Sequence, residues 1–167
     1  MSISMYQASV PVLVRMLGVL SKVLDKGAAF AETRKIDPAV LVNARLAPDM
    51  LPLSRQVQIA SDMALRGAAR LAGLDFPTNP DTETTFPELE ERIAKTLRFI
   101  DGLSAEQLDG SEDRPISIKV GDLDLSFNGL DYLRYFVLPN VYFHVSAAYL
   151  ILRHNGVELG KRDFLGM

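Results

Sequence analysis

Apolar positions recur at helical spacing along four long stretches of the chain, and these stretches set its architecture. In the first, from about Ser4 to Phe30, Val10, Leu13, Leu17, Leu20 and Leu24 fall on one stripe, with Ser4 as the cap. Pro11 sits too deep to be a first-turn proline and predicts a kink or a late start. A short turn follows at DPAVLVN, where Asp37 caps and Pro38 takes the first helical position. In the second stretch, from Pro52 to near Gly73, Leu53, Gln56, Ala60, Met63, Ala64, Gly67 and Leu71 share a face. Ser54, Arg55, Gln58, Asp62 and Arg66 point the other way, and Asp49 just ahead predicts a cap. The third starts around Pro87 and turns Leu89, Ile93, Leu97 and Ile100 inward. Its Glu88, Glu90 and Glu91 read as a solvated first turn. The fourth runs from roughly Asn128 to Asn155, with Gly156 as a left-handed stop.

Between the third and fourth stretches the period shortens. In RPISIKVGDLDLSF, Ile116, Ile118 and Val120 alternate with polar residues, as do Leu123, Leu125 and Phe127, and the two runs meet at Gly121-Asp122. That is a β-hairpin pattern. A lone hairpin is marginal in water, so it is expected to lie against the helices. The segment GLDFPTNPDTETT is a long loop dense in turn formers, so simple up-down-up-down order is not required. Four amphipathic helices bury their stripes most economically on one another. The predicted fold is therefore all-α: one four-helix-bundle domain over residues 1–167, with a small β-hairpin between the third and fourth helices.

Composition narrows the chemistry. The 167 residues contain no cysteine, which excludes disulfides, thiolate metal sites and thiol nucleophiles. A net charge of −3 argues against a nucleic-acid partner. No basic residue precedes the first apolar stretch, and Arg15 and Lys22 interrupt it, so neither a secretory signal nor a membrane span is expected. The expected location is the cytoplasm.

One of only two histidines, His144, falls on the apolar face of the fourth helix beside Ala147 and Ala148, with Asn140 one turn away. Gln56 is the polar residue on the apolar face of the second helix. These three could meet at one level of the bundle, since buried unpaired polar groups are costly. Three readings stay open: a structural hydrogen-bond cluster, a small-molecule site with His144 as base or donor, and a metal site. For the last, one imidazole and two amides offer zinc or nickel only a weak first shell, with His144 as its candidate ligand. Tyr135, Tyr142 and Tyr149 recur every seven residues on the opposite face of that helix. Such a stripe expects cover, either from the hairpin or the C-terminal tail, or from a second copy in a homodimer. The tail GVELGKRDFLGM keeps Leu159, Phe164 and Leu165 apolar and is expected to fold back.

The stretches LAPDMLPLSRQVQIASDMA, FPELEERI and PNVYFHVSAAYLILRHNGVELGKRDFLG resemble an uncharacterised bacterial family of the DinB/YfiT-like superfamily of four-helix bundles. The resemblance spans nearly the whole chain. In the wider superfamily a histidine on the second helix and an HxxxH pair on the fourth bind a divalent metal, some members are thiol-dependent transferases or isomerases, and many are dimers. Carried onto this chain, His144 is one member of the pair, and its companion position holds Ala148 or Asn140. The second-helix position corresponds to Gln56. The resulting expectation is a small-molecule-binding protein with a degenerate metal site. The alternatives are a transferase or isomerase-type enzyme using His144, and a structural homodimer.

Overall fold

A computed structural model describes residues 3–167. The elements are α1 (Met5–Arg34), α2 (Pro38–Val42), α3 (Leu53–Ala72), α4 (Phe86–Asp101), α5 (Ala105–Leu108), β1 (Ile116–Val120) and β2 (Leu123–Phe127). A last rod follows, made of α6 (Gly129–Asp131), a π-helical stretch Tyr132–Val137 and α7 (Leu138–His154), and then the short α8 (Lys161–Leu165). The bundle and hairpin are those expected from the pattern.

The helix ends follow from local chemistry. Ser4 and Gln7 form a reciprocal capping box on α1, and Thr85 and Glu88 form another on α4. Glu88 stays exposed, as a solvated first turn predicts, and serves as a capping group as well. α1 neither starts late nor breaks at Pro11: the ring lies on the exposed side, where the carbonyl it leaves unserved faces water. Asp49 does not cap α3. The cap position is Pro52, which makes no side-chain cap bond.

The π-helical stretch has an identifiable cause. Pro139 carries no N–H for the carbonyl one turn back, and the chain widens by a residue, so that the Leu138 N–H reaches the Leu133 carbonyl. Just upstream, the hairpin pairs Ile116 with Phe127 and Val120 with Leu123, turning at Gly121, whose φ of +58° suits a two-residue loop. Ile116 and Ile118 are buried, and Phe127 packs 5.9 Å from both Tyr132 and Phe136. The hairpin thus clasps the start of the last rod.

Contacts along the helices give their directions. Asp62 of α3 meets Arg92 of α4, and Gln58, one turn earlier, meets Glu83 in the residues leading into α4, so residue numbers rise together and α4 runs parallel to α3. Ser21 meets Glu90, and Gly27 lies against Phe86, which sets α1 antiparallel to α4. Gln56 meets His144, and Gly67 lies against Val137, which sets α7 antiparallel to α3. The loop between α3 and α4 is therefore a crossover that travels back along α3. At Gly67 a Cβ would lie 2.5 Å from Val137 Cγ1, so only glycine permits this approach of α3 to the last rod. The core is built from Leu13, Leu17, Leu20, Leu53, Ala64, Ile93, Val141 and Ile151, all buried. α1 and the rod Gly129–His154 are each long and apolar enough to cross a membrane, and both contribute to this core.

Candidate functional site

α3 and α7 bring Gln56 and His144 together, as their shared inward faces anticipated. His144 Nδ1 lies 2.7 Å from Gln56 Oε1. The Gln56 amide nitrogen donates to the Leu51 carbonyl at 3.0 Å, which fixes the amide so that its oxygen faces the ring. An amide oxygen only accepts, so the proton resides on Nδ1 and the Nε2 lone pair is free. Burial pushes the His144 pKa below its ordinary value and keeps the ring neutral at pH 7. Nε2 has no hydrogen-bond partner among the described residues, and the residue keeps 9% of its surface exposed. Phe143 meets the ring edge-on at 5.1 Å.

Asn140 does not join the pair. Its carboxamide donates to the Phe136 carbonyl at 2.7 Å, on its own helix. The side chain folds back on the carbonyl four residues earlier, as Asn155 does onto Ile151. A helical wheel gives the direction of a side chain but not this local bond.

A second polar cluster was not anticipated. Arg92 is 2% exposed. Its Nη1 donates to both Glu83 oxygens and to the Pro80 carbonyl, and its Nη2 donates to Asp62 at 2.7 Å and lies 3.0 Å from Asp81. Arg55 reaches Asp81 at 2.5 Å, Gln58 donates to Glu83 at 2.9 Å, and Arg66 pairs with Asp62 at 2.8 Å. Burial alone would raise the Asp81 pKa, but Arg55 and then Arg92 hold it below the usual carboxylate value. Ser54, Gln58 and Asp62, expected to face solvent, are buried. The available signal was Arg92 itself, one turn from Leu89 and from Thr96 on the inward face of α4.

Glu90 also departs from expectation. It is half-buried, accepts from Ser21 Oγ at 2.7 Å, and has its pKa raised by burial and by the nearby Asp25 charge. Of the tyrosine stripe, Tyr149 is partly covered by the edge of Phe164 from the folded-back tail. Tyr135 and Tyr142 are exposed, as are Phe143 and Leu150. A cleft of about 800 Å³ opens beside Tyr142, between Tyr6, Val10, Val14 and Arg15 of α1 and Phe164 of α8.

Residues 5–165 match the model of a family described as Domain of unknown function (DUF1993). The chain belongs to this family. It is also similar to the crystal structure of a DinB family member protein from Shewanella denitrificans, with 42% identity over 97% of this chain and 92% of that one, and a TM-score of 0.87. No curated protein matches. As a DUF1993 domain of DinB-like architecture, the chain invites a test of the metal site that the wider superfamily implies. The donors do not fit one. Gln56 Oε1 is occupied by the ring, Asn140 is turned to its own backbone, and position 148 is alanine. Among the described residues no three His, Cys, Asp or Glu side chains converge on a point where an ion could sit.

Proposed function

We propose that this DUF1993 protein is a small-molecule-binding protein that uses His144 as a neutral hydrogen-bond acceptor. The observation that carries this reading is the Gln56 bond to Nδ1, which commits the ring to one tautomer and leaves Nε2 unpartnered. Leu51 and Phe143, 42% and 57% exposed, flank the pair with apolar surface. The matching ligand is a compact, mostly apolar molecule carrying one N–H or O–H donor. The same lone pair could serve as a general base, but no cysteine is available to it as a nucleophile. Phenol is a suitable probe, having one aromatic ring and one hydroxyl. Titrated into ¹⁵N-labelled protein, millimolar phenol is expected to move the Nε2 resonance of His144 saturably while Nδ1 stays protonated. A ring whose two nitrogen resonances ignore phenol refutes the reading.

A second reading rests on different residues. Tyr135, Tyr142, Phe143 and Leu150 present an apolar surface on one side of the last rod, and we propose that it joins two copies in a homodimer. Tyr142→Asp is then expected to halve the mass measured by size-exclusion light scattering. An unchanged mass removes the interface.

A further inference from the structure

The crossover between α3 and α4, residues 74–85, is held on the bundle in an unusual way. None of its twelve residues is buried, so it contributes no side chain to the apolar core. Its attachments are polar. Phe76 lies under the guanidinium groups of Arg66 and Arg70, at 6.0 and 5.2 Å, and Asp81 and Glu83 reach Arg55, Gln58 and Arg92. On the bundle side, three guanidinium groups (Arg55, Arg66, Arg92) face one carboxylate, Asp62. That leaves two positive charges, and the two strap carboxylates cancel them. Arg92 Nε is buried and unpartnered. The floor under the strap therefore has unused hydrogen-bonding capacity.

We propose that Arg55, Gln58 and Arg92 form a seat for a small dianion, and that Asp81 and Glu83 occupy it as an internal ligand. The strap can lift without uncovering apolar core, and two oxyanion groups from outside then replace its carboxylates on the same donors. A short dicarboxylate and a phosphate share this chemistry. Because the chain's own carboxylates compete, the seat's apparent affinity is reduced by the fraction of molecules with the strap in place.

Calorimetric titration tests this on the full chain, with succinate and inorganic phosphate as separate probes at constant ionic strength. Asp81→Asn/Glu83→Gln removes the competing charges and is expected to bind at least one probe roughly tenfold more tightly than the unmodified chain. Whichever probe gains distinguishes dicarboxylate from phosphate. A reporter with the ionic contacts intact covers the case in which that variant fails to fold. The chain has no tryptophan, so Phe76→Trp places a single indole on the strap. Its emission is expected to shift red saturably with the probe that binds, and not with sodium chloride at equal ionic strength. Equal affinities in both proteins, or an emission shift that follows ionic strength alone, overturns the proposal.

Discussion

Two polar clusters flank α3, and they are built on opposite principles. The Gln56–His144 pair is neutral, contains two side chains and is set by two helix faces that meet across the bundle. The Arg92 cluster is ionic, contains six charged groups and exists only because the crossover folds back over α3. A neutral pair loses little if both members are replaced together, whereas a buried charge whose partners are removed loses its compensation outright. The comparison thus separates a site that can be altered locally from one that is bound up with the topology.

The largest effect is expected at Arg92. Arg92→Leu leaves Asp62, Asp81 and Glu83 without their common partner and should cost about 3–5 kcal/mol in urea unfolding. If the loss is within experimental error, the cluster is surface decoration despite its burial. Next comes Gly67→Ala. The new methyl meets Val137, and forcing the helices apart should cost roughly 1–3 kcal/mol and shift the His144 ring resonances. A smaller loss, roughly 1–2 kcal/mol, is expected for Gln56→Leu, which strands the Nδ1 proton. Adding His144→Phe to it should recover most of that loss, as a neutral pair requires; no recovery would show that the two residues act independently.

The smallest effect is the pH dependence, and here the signs oppose. The pKa of His144 is depressed from 6.5, so below that value the unfolded chain takes up the proton first and stability falls as pH drops. Glu90 is raised from 4.5, so above that value the unfolded chain loses its proton first and stability falls as pH rises. Between these values the two slopes partly cancel. Glu90→Gln should therefore steepen the gain in stability with rising pH, and His144→Gln should weaken or reverse it, in denaturation curves recorded across that interval.

Much of the fold was legible because it is written in period. The α1, α3, α4 and α7 stripes, the alternation of the hairpin and the Gly156 stop all follow from spacing of apolar residues and glycine. Half of the neutral pair's logic was legible too, since Gln56 and His144 each interrupt an apolar stripe. Asn140 misled because its amide is satisfied by the carbonyl four residues back on its own helix, a bond that the face it occupies does not reveal. The polar side of α3 misled for a different reason. Gln58 and Asp62 have the pattern of a solvent face, and what meets them is Glu83 of the crossover and Arg92 of α4, an arrangement that depends on α4 running parallel to α3. Tyr132 shows the same limit: it is fully buried against Phe127 and Phe136, a packing that needs the hairpin's position and not only its strands.

The parallel course of α3 and α4 has an electrical consequence. Neighbouring helices that point the same way align their macrodipoles side by side, which gathers partial positive charge at one end of the α3–α4 pair and partial negative charge at the other. The chain answers at both poles. Near the amino-terminal pole, Asp81 crosses to Arg55 in the first turn of α3, while Glu88 accepts the Thr84 and Thr85 N–H groups that open α4. Near the carboxy-terminal pole, Arg70 lies in the last turn of α3, and Arg114 arrives from beyond α5 to donate to the Leu71 carbonyl. A redesign that straightened the crossover into a plain antiparallel hairpin would set the α4 amino terminus beside the α3 carboxy terminus, pairing opposite partial charges and taking Asp81 away from Arg55.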